Sequence, residues 1–118
     1  MLESLKPAAG KRWPRGQRFI LSSKGTVAEA AYREAVQAVR ALGREALSAA
    51  QGAWALPLNL DPADGVVLGE LRAGRKSLAE IARGLEECGT SPAEVKAAID
   101  RLSESGLVDP APPAGASA

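Results

Sequence analysis

The chain has no histidine, a single cysteine, and only two Trp, one Tyr and one Phe in 118 residues. Without histidine it lacks the commonest general base and the commonest metal ligand. Ser-His and Cys-His nucleophile pairs are excluded within one chain. Cys88 stands alone, so no intrachain disulfide forms, and a reducing compartment fits. No apolar run approaches the roughly 18 residues of a membrane span. The first sixteen residues, MLESLKPAAGKRWPRG, contain no apolar stretch of the kind a secretory signal carries. No glycine-rich phosphate loop and no metal-ligand spacing occurs, so no cofactor or metal is expected. Glu86 and Glu87 read as a solvated helix end and Cys88 as an inert, partly buried thiol. A non-catalytic, cytoplasmic protein is the expectation.

With aromatics scarce, the core must be built from Leu, Val, Ile and Ala, a composition that favours helices. The strongest local signal lies in residues 77–108. Ser77-x-x-Glu80 and Ser91-x-x-Glu94 share one grammar. The Ser accepts a bond from a free backbone N–H, and the Glu three residues on reaches back to the cap's own N–H. Each pair precedes apolar residues at helical spacing: Leu78, Ile81, Ala82 and Leu85, then Val95, Ala98, Ile99 and Leu102. Two short capped helices, about 78–87 and from 92 on, with Gly89 at the turn, read as a helix-turn-helix unit. Gly106 reads as the C-terminal cap of the second, and Leu107-Val108 as a short strand.

The rest of the chain is organised around that unit. Residues 1–16 read as a flexible basic arm, and 17–22 as a short strand. Thr26 with Glu29 forms a third capping box, from which one long helix is expected to about residue 51. Tyr32, Ala35, Val39, Leu42 and Ala46 fall on one stripe of that helix, open either to packing on its own domain or to a homodimer seam. Gly43 marks a weak point in it. Residues 52–60 read as an extended connector, since Trp54, Leu56, Leu58 and Leu60 alternate around Pro57. Asp61-Pro62 is expected to cap and open the next helix, which Gly74 ends. Residues 109–118 read as a disordered Pro/Ala tail.

Over residues 65–108 the chain resembles bacterial winged-helix regulators. The likeness rests on Val67, Leu68 and Leu71, Gly74, the Ser77-Leu78-Ala79-Glu80-Ile81-Ala82 run, Leu85, Ser91-Pro92, Glu94-Val95, Ile99, Leu102 and Gly106-Leu107-Val108. It implies a mainly α fold: a winged-helix-like helix-turn-helix domain at 61–108, preceded by one long helix. Because Pro110, Pro112 and Pro113 do not build a paired hairpin, the wing is expected to be reduced or absent, with the missing strand supplied by residues 17–22.

The resemblance implies DNA binding, and charge bears on where. Residues 1–45 carry nine Lys/Arg against four Asp/Glu, a net of +5, whereas the remainder carries six against ten, a net of −4. Asymmetry of this kind signals a partner. The candidate DNA contacts are Lys11, Arg12, Trp13, Arg15 and Arg18 in the arm, Arg75 and Lys76 before the first capped helix, and Lys96 and Arg101 on the last. The last helix presents Asp100 and Glu104 beside those cations, which is unusual for an element that reads bases. Two functions stay open: a DNA-binding regulator or accessory factor, and a protein-interaction adaptor on the same scaffold.

Overall fold

The computed structural model describes residues 13–112. Within them, helix α1 (Ser23–Ala38) starts one turn earlier than Thr26 suggested. Ser22 is the N-cap. Its hydroxyl accepts from the Gly25 N–H at 3.0 Å and donates to the Gly106 carbonyl at 2.6 Å, so one side chain caps a helix and ties together positions 84 residues apart. Thr26 instead donates back to the Ser22 carbonyl.

The expected long helix is two helices. α1 ends at Ala38, a short 3-10 turn follows at Arg40–Leu42, and α2 (Arg44–Ala55) begins after Gly43. Gly43 sits at φ 100°, ψ 177°, a conformation a side chain resists, and it turns the chain into an elbow. The expected extended connector is also replaced: Trp54 and Ala55 lie in the last turn of α2, and Leu56–Leu58 form a 3-10 turn. Trp54 is buried, its indole N–H donates to the Ala28 carbonyl, and its ring meets Tyr32 edge-on at 4.8 Å. This pair locks α2 onto α1.

Helix α3 (Asp64–Arg72) begins later than the Asp61-Pro62 reading placed it. The Asp61 carboxylate accepts from the Ala63 N–H while Asp64 accepts from the Asp61 N–H, so residues 61–63 make a side-chain-held turn before the helix. α3 packs closely on α1 at Gly65, where a Cβ would overlap the Tyr32 ring.

Strand β2 (Lys76–Ser77) leads into α4 (Leu78–Gly84) and α5 (Pro92–Glu104), and both expected capping boxes are complete. In each, the Glu carboxylate accepts from the Ser N–H at 2.8 Å and the Ser hydroxyl accepts from the Glu N–H at 3.2 Å. α4 is shorter than expected, giving way to a 3-10 turn at Glu86–Cys88. Gly89 and Gly106 both take left-handed conformations at the ends of these elements.

Three strands form an antiparallel sheet in the order β2-β1-β3, with β1 at Arg18–Leu21 and β3 at Val108–Pro110. The expected upstream strand is thus present, and it occupies the centre. The tail expected to be disordered contributes to the edge: Phe19 pairs with Pro110, Ile20 with Asp109, and the Ala111 N–H donates to the Arg18 carbonyl at 2.8 Å. Proline is tolerated there because β3 is an outer strand with one unpaired side. Phe19, Leu68, Ile81, Val95, Ile99, Leu102 and Leu107 are buried between the sheet and helices α3–α5. No helix among the described residues is long and apolar enough to cross a membrane.

Candidate nucleic-acid interface

The candidate cations divide into two groups once the fold is in place. Lys96 and Arg101 are engaged internally. Lys96 Nζ donates to Asp100 at 2.6 Å, one turn along α5. Arg101 makes a two-pronged contact with Asp64, Nε to Oδ2 at 2.9 Å and Nη2 to Oδ1 at 2.8 Å. The Asp64 side chain is wholly buried and that of Arg101 half-exposed, so this pair bolts α5 to the start of α3. The hydrogen bond to Asp64 is also the main reason the guanidinium's affinity for its proton is raised. Both of these expected nucleic-acid contacts thus have a carboxylate partner within the fold, with their side chains still part-exposed. Lys76, likewise, bonds Glu70 at 2.8 Å.

Trp13 is not a free arm residue. Its ring packs edge-on against Phe19 at 5.0 Å, and its indole N–H donates to Asp100 on α5 at 3.2 Å. The chain therefore enters the described structure alongside the outer face of α5. From Trp13 it turns, with the Gln17 N–H bonded to the Pro14 carbonyl and Gly16 at φ 77°, and runs into β1. The Gln17 side-chain amide donates to the Ala111 carbonyl at 3.0 Å, stapling the incoming segment to the outgoing one.

Between these two segments lies a cleft of about 490 Å³ whose walls carry Arg15, Arg18 and Arg75. All three are exposed. Arg15 has no ion-pair partner among the described residues, and Arg75 reaches only the Pro112 carbonyl at 3.4 Å. Arg18 approaches Glu80 at 3.7 Å, but that carboxylate already accepts the Ser77 N–H. The same N–H bond is the chief cause holding the Glu80 carboxyl below its ordinary range. Three candidates far apart in sequence thus converge, which nothing in the local pattern foretold: Arg75 joins the two arm residues only because β2 pairs with β1. Lys11 and Arg12 lie outside the described residues.

The stripe proposed on the long helix is broken by the elbow. Tyr32 is largely buried against Trp54 and Gly65 within its own domain. Ala35, Val39 and Ala46 are half-buried, and Leu42 is 70% exposed on the 3-10 turn. Cys88, expected to be partly buried, is exposed. Among the described residues no three His, Cys, Asp or Glu side chains gather as metal ligands. Comparison with protein-family models, with curated proteins and with solved structures finds no match for this chain.

Proposed function

We propose that this is a non-catalytic, winged-helix-like DNA-binding module whose phosphate contacts come from the arginine cleft rather than from the last helix. The order α3-β2-α4-α5-β3, with an upstream strand seated between β2 and β3, supports the winged-helix reading. In this arrangement the junction of residues 13–18 with Ala111 and Pro112 stands in for a wing. The observation that carries the proposal is the convergence of Arg15, Arg18 and Arg75 beside the entry of a basic segment. Guanidinium groups recognise phosphate oxygens through paired N–H donors. Such contacts anchor a protein on duplex DNA without reading its sequence. With Lys96 and Arg101 engaged internally, weak base preference is expected.

The test is a salt titration of binding to random duplex DNA. Affinity falls steeply with salt, and replacing Arg15, Arg18 and Arg75 with Ala flattens the log–log slope by about 2 to 3, near 0.9 per lost phosphate contact. Lys96→Ala changes the slope little. Absence of binding at low salt removes the proposal and leaves the adaptor reading, which the internal pairing of the α5 cations favours.

A further inference from the structure

We propose that the groove at the α1–α2 elbow binds a small amphipathic anion: an apolar body carrying a single carboxylate or similar head group. The groove is open to solvent and spans about 660 Å³ between α1, α2 and α3. That is within the roughly 300–1,000 Å³ of small-ligand pockets. Its walls include Tyr32, Val36, Leu47, Val66 and Leu85. On α1 the lining runs from Glu29 to Gln37, roughly 12 Å at about 1.5 Å per residue.

Charge along this groove is uneven, and that unevenness selects the occupant. Glu29 is nearly buried and accepts two bonds from Arg33, at 3.1 and 3.2 Å, with Arg72 at 3.3 Å. Glu70 is taken by Lys76. Both carboxylates are therefore answered by protein cations. At the elbow end, Arg40 and Arg44 also line the groove, and neither has a hydrogen bond or ion pair among the described residues. Glu34 and Glu45 are near these arginines in sequence but do not line the groove. An apolar trough ending in two unanswered guanidinium groups matches one anionic head on an apolar body.

Gly69 supplies the lever for a test. It lies within α3 and lines the groove, and a Cβ built on it meets nothing within 4 Å. Alanine there favours the helix, yet it adds a methyl group to the floor a ligand would lie on.

The experiment uses the full chain with 8-anilinonaphthalene-1-sulfonate as the fluorescent probe, displaced by decanoate, decanol or decylammonium. Expected is one saturable site from which decanoate displaces the probe at least tenfold more effectively than either other compound. Arg40→Gln with Arg44→Gln abolishes that preference for the carboxylate. Gly69→Ala melts no lower than the parent and binds decanoate at least threefold more weakly. Unsaturable probe binding, equal displacement by decylammonium, or unchanged decanoate affinity in both variants overturns the proposal. No DNA enters the assay, and both variants leave Arg15, Arg18 and Arg75 in place, so any anion held at the arginine cleft is unaffected by them.

Discussion

The α3–α5 unit and the segments upstream of it differ in how many of their cations have a carboxylate partner. In α3–α5, Asp64 meets Arg101, Asp100 meets Lys96, Glu70 meets Lys76, and both capping glutamates close on backbone N–H groups. Upstream, Arg33 meets Glu29, but Arg15, Arg40 and Arg44 have no ionic partner among the described residues. The same residue type therefore does two jobs. Where a cation is answered internally it fixes how elements pack. Where it is left unanswered on an exposed wall, its binding capacity remains for something outside the chain. The α4–α5 pair, the part of the molecule that first suggests recognition, holds its two candidate cations, Lys96 and Arg101, in ion pairs.

Breaking the strongest of the internal pairs gives the sharpest contrast. Arg101→Met leaves the buried Asp64 carboxylate without its cation, and a loss of about 3 kcal/mol is expected, read by urea denaturation. Removing both charges, as Asp64→Asn with Arg101→Met, costs clearly less than the single change. The equivalent truncation upstream, Arg40→Met, leaves stability within about 0.5 kcal/mol of the parent. Equal losses from the two single changes would erase the distinction between the regions.

A second contrast tests packing rather than charge. Gly65→Ala drives a methyl group into the Tyr32 ring, so a loss of roughly 1–3 kcal/mol is expected from the forced shift, seen as a lower midpoint in thermal denaturation. Because Tyr32 and Trp54 are in edge contact, tryptophan fluorescence should change with it.

The smallest effect concerns the capping box of α4. The Glu80 carboxyl is held below its ordinary value of 4.5, first by the Ser77 N–H and with help from Arg18. A depressed carboxyl contributes stability that is present above the unfolded-state value and is lost as pH falls through the lower folded-state value. The parent should therefore lose more stability between neutral pH and about pH 4 than Glu80→Gln does, measured by denaturation at each pH. Ser77→Ala removes the other half of the box and costs about 1 kcal/mol.

The features legible in the sequence were those whose partners lie within four residues. Ser77 with Glu80, Ser91 with Glu94 and the C-terminal Gly106 are complete local statements, and the structure contains each of them. What the sequence hid depends on distant partners. Thr26 and Ser22 are both good cap residues, and the choice falls to Ser22, whose hydroxyl also reaches the Gly106 carbonyl. Gly43 marks a weak point where a bend is allowed, but the apolar spacing runs across it, and the full elbow depends on α2 folding back to set Trp54 over Tyr32. Pro110 argued against a strand, and only its place on an outer edge beside Phe19 makes one. The arginine cleft was half legible: Arg15 and Arg18 stood in a basic run, but the arrival of Arg75 required the sheet register.

The central position of β1 has a consequence for how the chain is put together in time. Its partners are β2, more than fifty residues later, and β3, about ninety residues later. During synthesis, helices α1 and α2 can form and meet as soon as they emerge. The strand just ahead of them has one edge open until residue 110 is made, and both edges open until residue 77 is made. Contacts of such separation slow folding, because a long loop must close before any bond rewards it. Up to that moment Phe19 has no sheet to lie in. The last described element thus completes the sheet around the first described strand, and a chain interrupted before it leaves one edge of this strand unpaired.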